Sequence, residues 1–320
     1  MEKRRLGRSG LAVTPVGMGC WAIGGESYRN GKAVGWAGAD DAESLRAIGR
    51  AVELGANLFD TASNYGCGHS ERLLGRALEG RRDEVILATK FSNVFDEETR
   101  VVSGRRQDAA FIRESCEASL RRLRTDYLDL FQFHDGEAEH GEEVRAVLEN
   151  LVSAGKIRWY GWSTDHAKRA RLFAEGTHCA AIQQGMNVFG GHGDTLEVCE
   201  KQNLASLIRS PLMMGLLTGK FTRETKFPPN DVRQGWDLTA GHLSEKMTLL
   251  ENVRDVLTCD GRSLAQGALA WLWARSPVII PLPGFKSVAQ VEDNLGALEH
   301  GPMPADQFAE VERLLGRERS

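Results

Sequence analysis

Eight short apolar runs, centred near residues 16, 58, 87, 130, 160, 181, 207 and 280, recur along this chain, and nearly every one is followed by a segment with helical periodicity. That alternation restricts the fold more than any other feature. Strands that alternate with helices build a parallel sheet with the helices packed outside it. Eight units in 320 residues fit a closed (β/α)8 barrel of the TIM type better than an open doubly wound sheet. The lack of a Gly-x-Gly-x-x-Gly turn after an early strand points the same way. No shift in composition divides residues 1–320, so the sequence predicts one domain.

Local signals fill in the units. Residues 3–6 and 11–13 flank Gly7-Arg8-Ser9-Gly10 and read as an N-terminal β-hairpin. Asp40 and Glu43 form a capping box for the first helix, and Ser70 is expected to cap the second. Residues 24–38 and 213–240 read as long loops, and no element is predicted between residues 90 and 107. Extra helices are expected near 243–258 and 304–316. Trp271 and Trp273 are too close in sequence to share a helix face, which predicts one in the core and one half exposed.

In a barrel the βα loops converge at the C-terminal ends of the strands, so whatever each strand ends on faces a common rim. Here the strands end at Trp21, Asp60, Lys90, His134, Ser163, Gln183, Arg209-Ser210 and Gly284-Phe285-Lys286. Tyr65 follows Asp60 on a Gly-flanked loop. A tyrosine hydroxyl beside an ammonium can act as an acid near neutral pH, because the positive charge favours phenolate. A carboxylate would hold the ammonium in place. The set suits proton transfer to a carbonyl oxygen.

Composition removes other classes. With 40 Lys plus Arg against 44 Asp plus Glu, the net charge of −4 argues against general nucleic-acid binding. No apolar run approaches the roughly 20 residues of a membrane span, and no apolar stretch follows the basic N-terminus as in a signal peptide. The 6 cysteines are widely spaced without a Cys-x-x-Cys pair and read as reduced thiols of a cytoplasmic protein. The histidines show no metal-ligand spacing, so no metal is expected.

Several motifs carry a resemblance. Asp60-Thr61-Ala62-x-x-Tyr65-Gly66-x-Gly68-x-Ser70-Glu71, Ala88-Thr89-Lys90 and Phe131-Gln132-Phe133-His134 occur in that order. They are followed by Gly155-Lys156-Ile157-Arg158, Gly161-x-Ser163, and Ser210-Pro211-Leu212 with Gly215-x-Leu217-x-Gly219-Lys220. Pro283-Gly284-x-Lys286-Ser287-x-x-Gln290-x-x-Asp293-Asn294 completes the series. Over nearly its whole length the chain resembles the aldo-keto reductase superfamily.

That resemblance implies reversible, NADPH-dependent reduction of an aldehyde, ketone or sugar by direct hydride transfer. Asp60, Tyr65, Lys90 and His134 match the catalytic tetrad, with Tyr65 as proton donor and His134 orienting the carbonyl. Cys20 and Trp21 match positions beside the nicotinamide, where Asp60 also lies, and Ser163, Thr164 and Gln183 match the region that holds its carboxamide. Arg209, Ser210, Pro211, Leu212, Gly215, Leu217 and Lys220 fall on the segment that follows the cofactor. Gly284, Lys286, Gln290, Asp293 and Asn294 fall on its adenosine end. Lys286, next to a helix N-terminus near Ser287, is expected to favour the extra phosphate of NADPH (NADP+ when oxidised). Arg209 stands where many relatives carry a stacking aromatic. The substrate pocket is expected between Trp21, residues 24–36, Phe91 and Trp236, with 213–240 as a lid. The competing reading is a cofactor-binding regulatory subunit of the same fold with slow turnover, which an intact tetrad disfavours.

Overall fold

The computed structural model describes residues 1–136 and 139–317. Eight parallel strands follow one another around the sheet in chain order. They are β1 (Met18–Gly19), β2 (Leu58–Asp60), β3 (Ile86–Phe91), β4 (Leu128–Phe133), β5 (Ile157–Ser163), β6 (Cys179–Asn187), β7 (Ala205–Arg209) and β8 (Ile279–Pro281). Gly17 N–H donates to Pro281 O at 2.9 Å, Gly19 N–H donates to Pro283 O at 3.0 Å, and Gly19 pairs with Gly284. These contacts join β1 to β8 and close the (β/α)8 barrel. Gly19 is required at the seam, because a Cβ there would lie 2.7 Å from Leu282 O.

The barrel is packed differently at its two ends. Leu58, Leu130, Leu207 and Ile280 point inward at the lower end, and the hairpin Arg4–Arg5/Ala12–Val13 adds Leu6 and Val13 to them as a plug. Gly7, at the tip, has φ +51°, and a Cβ would collide with Ala180 O at 2.3 Å. At the upper end the inward residues turn polar. Asp60, Lys90, Gln132 and Gln183 are all buried there. A larger apolar layer between strands and helices accounts for most of the remaining core.

Several local expectations change. Asp40 does cap helix Asp41–Glu53 by accepting from Glu43 N, but the Glu43 carboxylate accepts from Val288 N instead of closing the box. Ser70 lies inside helix His69–Ala77, whose N-cap is Gly68, and its hydroxyl donates to Cys20 O. Both Trp271 and Trp273 are buried, since helix Leu264–Arg275 is covered by neighbours on more than one side: Trp271 stacks on Phe308 and Trp273 donates to Pro15 O. The two regions read as unstructured, 24–38 and 90–107, together form a four-stranded accessory sheet. Hairpin Tyr28–Arg29/Lys32–Ala33 pairs with hairpin Asn93–Asp96/Val101–Arg105 through Tyr28 and Val101.

Candidate active site

A cleft of about 700 Å³ opens at the upper rim and runs from His134 and Arg105 at one end to Lys286 and Asn294 at the other. Its floor is a buried ion pair. Lys90, fully buried at the end of β3, donates from Nζ to Asp60 Oδ2 at 2.6 Å, Thr61 O at 2.8 Å and Tyr65 Oη at 3.3 Å. All three ammonium donors are therefore spent. Asp60 Oδ1 accepts from the amides of Gln132 and Gln183, each at 2.9 Å. Because Tyr65 Oη accepts from Lys90, its own proton is left to donate elsewhere.

The electrostatics follow from burial and from this pairing. Burial works against the Lys90 ammonium, but Asp60 and Tyr65 outweigh it and raise its pKa. Burial pushes the Tyr65 phenol above its ordinary value, and Lys90 offsets only part of that rise. Contrary to the expectation that Lys90 makes Tyr65 an acid near neutral pH, the net shift is upward. The ammonium limits the increase without reversing it, and the phenol stays protonated at neutral pH.

His134, just past β4, is held neutral by burial and then by the charges of Lys90, Arg105, Arg209 and Arg29, which push its pKa well below 6.5. Asn93 Nδ2 lies 3.4 Å from His134 Nδ1, and Asn93 Oδ1 accepts from Arg29 Nη2 at 2.7 Å. Arg29 can only donate, so it fixes the amide with its NH2 group toward the imidazole. Nδ1 must then accept, and the single proton of the neutral ring sits on Nε2.

Most of the residues expected at the rim line the cleft: Cys20, Trp21, Asp60, Tyr65, His134, Ser163, Gln183 and Arg209 at one end. Ser210, Pro211, Leu212, Gly215 and Lys220 line its side, with Gly284, Lys286, Gln290, Asp293 and Asn294 beyond. Four others are placed away from it. Thr164 turns its hydroxyl to Gly136 O, and Leu217 is packed in the core. Phe91 stacks on Phe131 and Phe133 behind the sheet, and Trp236 packs on Phe227. Gln183 keeps its place on the wall but spends its NH2 group on Asp60 and Gln132. Cys67 is buried, and desolvation pushes its thiol up to about 11, so it is a poor nucleophile.

Other residues in and beneath the cleft were not singled out from sequence. Asp165 binds the Arg209 guanidinium, which lies over Gly185, and so cancels a charge that would otherwise repel an oxidised, positively charged ring. Gln132, two residues after Leu130, shares its inward face of β4, and that period-2 pattern could have shown it lying beneath the site. Arg233 is held by both oxygens of Asp231 and stacks over Trp36.

The end of the cleft expected to take the adenosine is cationic. The Lys220 ammonium is weakened by burial and then by Arg233 and Lys286, and Lys286 by burial and then by Arg233. Cations that repel one another in this way suit an anionic ligand. The helix N-terminus beside Lys286 is less available than the sequence suggests, since Val288 N–H is taken by Glu43 and Gln290 N–H by Ser287 Oγ. The segment 213–240 crosses the cleft and docks on residues 26–37. Val232 N donates to Gly35 O at 2.8 Å, Ala37 N to Asp231 Oδ2 at 3.2 Å, and Asn230 Nδ2 to Glu26 Oε1 at 2.7 Å.

A model of the aldo/keto reductase family matches residues 15–315. The chain belongs to that family and is an oxidoreductase. Among solved structures it is similar to the glycerol dehydrogenase AKR11B4 of Gluconobacter oxydans, with 32% identity, 99% of this chain and 95% of that one covered, and a TM-score of 0.85. It is also similar to an aldo-keto reductase of Klebsiella pneumoniae solved with NADPH, at 25% identity, coverage of 100% and 97%, and a TM-score of 0.74. The NADH-specific methylglyoxal reductase of Escherichia coli is 30% identical over 322 residues, 96% of each chain. Among the described residues no group of His, Cys, Asp and Glu is arranged to hold a metal, and no helix is long and apolar enough to cross a membrane.

Proposed function

We propose that this chain reduces an aldehyde or ketone at the expense of NADPH, with Tyr65 giving the proton to the carbonyl oxygen. The observation that carries the reading is the buried Lys90 ammonium bonded at once to Asp60 and to Tyr65 Oη. The nicotinamide, when bound, supplies the hydride. Everything else falls to the side chains. Tyr65 Oη, accepting from Lys90, aims its own proton into the cleft, and His134 offers its Nε2 proton to the same oxygen. As the phenol loses its proton the adjacent ammonium stabilises the phenolate, which is where such a charge contributes most. Trp21, stacked 6.0 Å from the Tyr65 ring, keeps bulk water from the acid.

The cleft fits the cofactor. Ser163 at the end of β5 would be in reach of a carboxamide, and Arg209, neutralised by Asp165, offers a flat surface at the position of the expected aromatic. Lys220, Arg233 and Lys286 supply the positive end that the phosphates of NADPH would need. The relatives above include users of either nicotinamide, and Lys286 is the residue that favours NADPH here. Free cysteines, all buried but Cys259, are consistent with a cytoplasmic protein, and the barrel with its accessory sheet is read as one domain.

The reading is tested by following NADPH absorbance against a panel of carbonyl compounds. Turnover with several aldehydes is expected, falling roughly 10²–10⁴-fold in Tyr65→Phe while NADPH binding persists. Near wild-type turnover in that variant would remove Tyr65 from the role.

A further inference from the structure

We propose, resting on the reading above, that the carbonyl substrate carries an anionic group, a carboxylate or a phosphate, and that Arg29 binds it with help from Arg105. Both line the carbonyl end of the cleft, and both come from the accessory sheet. Arg29 stands at the end of strand Tyr28–Arg29, with its side chain half-buried. Nη2 donates to Asn93 Oδ1 at 2.7 Å, but Nε is buried and has no hydrogen-bond partner. Among the described residues no carboxylate forms an ion pair with this guanidinium. Burial and then the charge of Arg105 lower its pKa, so the two cations repel across a partly dry space.

The acids nearby are already used. Asp60 belongs to Lys90, Asp165 to Arg209, and Asp135 lies 2.9 Å from Arg105, whose own side chain is still 44% exposed. Leaving a buried guanidinium donor unsatisfied costs free energy, and an anionic ligand oxygen would satisfy it. The cofactor's phosphates do not supply that oxygen, because the cations fitted to them, Lys220 and Lys286, lie at the opposite end. Arg29 is instead tied through Asn93 to His134, the residue placed on the carbonyl. The reacting group and a fixed positive charge are therefore held side by side.

The test compares matched substrates in the wild-type enzyme: 4-formylbenzoate with its methyl ester, and glyceraldehyde 3-phosphate with glyceraldehyde. At least one anionic member should exceed its neutral partner in kcat/KM by on the order of ten- to a hundredfold, chiefly through KM. Which pair shows the larger ratio tells carboxylate from phosphate. Arg29→Met should collapse that ratio, Arg29→Lys should keep part of it, and added salt should raise KM for the anion alone. Because Arg29 also orients Asn93, the ratio and not the absolute rate is the readout. Neutral partners favoured in both pairs, or a ratio untouched by Arg29→Met, would overturn the proposal. A second arm needs no turnover: benzoate should quench the fluorescence of Trp21 and Trp36 at concentrations at which benzamide does not. Benzoate quenching with no carbonyl reduced would defeat the reductase reading and leave the anion site standing. Equal response to benzoate and benzamide in wild type would defeat the anion site.

Discussion

Replacing Lys90 with Met keeps the chain out to Cε and removes the ammonium, which tests the centre of the site directly. Nζ lies 3.3 Å from Tyr65 Oη. At an effective dielectric constant of about 20, a phenolate and an ammonium at that separation attract by about 5 kcal/mol. Only the fraction of charge developed in the transition state feels this, so the expected loss in kcat/KM is on the order of 10²- to 10⁴-fold. Both directions must fall alike, because they share one transition state. Stability should fall as well. Asp60 would keep its two amide donors but lose its cation, and an uncompensated buried charge costs about 3–5 kcal/mol. The double variant Asp60→Asn/Lys90→Met separates the two effects, since neutralising the carboxylate should restore much of the stability and none of the activity. Thermal unfolding and NADPH-coupled rates on the two variants would show this. Activity within tenfold of wild type in Lys90→Met, or recovered in the double variant, would refute the assignment.

Lys286→Ala should weaken NADPH binding about tenfold or more and NADH binding little, because one charge-assisted contact is worth about 1.5–3 kcal/mol; cofactor titration checks it, and equal affinities for both cofactors in wild type would contradict it. Limited proteolysis should cut between Thr222 and Asp231 without cofactor and be suppressed by NADPH, whereas equal cleavage would mean the docked segment is no lid. The reductive rate should be flat between pH 6.5 and 10, the ordinary values of His134 and Tyr65, since the first is neutral above a lowered pKa and the second protonated below a raised one. An inflection near neutrality that tracks His134→Gln would show the imidazole titrating there. Asn93→Leu should depress kcat more than NADPH affinity, because it releases the His134 ring to the wrong tautomer; unchanged kcat would argue against that positioning.

The alternation of strands and helices was legible because the barrel strands are largely buried on both faces and so read as predominantly apolar runs. The rim was legible for a related reason, as each run stops on one polar group. What sequence could not show was pairing at a distance. Glu43 and Asp40 have capping-box spacing, but spacing cannot reveal that Val288, far along the chain, competes for the Glu43 carboxylate. Arg209 stood in place of a stacking aromatic, and nothing in its spacing showed that Asp165 would neutralise it. The accessory sheet escaped because its strands are two to five residues long and half exposed, which leaves too few alternations to distinguish them from loop. Arg105 escaped with it, while Arg29 fell within residues 24–36, a segment expected at the pocket.

The hairpin plug has a consequence for how such a protein can change over time. Leu6 and Val13 seal the lower mouth against side chains that never reach the rim, so cohesion is anchored at the end where no chemistry takes place. The accessory sheet hangs from the opposite end and contributes little to that anchor. Its loops can be lengthened, recharged or exchanged while the scaffold stays folded, which makes substrate preference the trait most open to selection and to laboratory redesign.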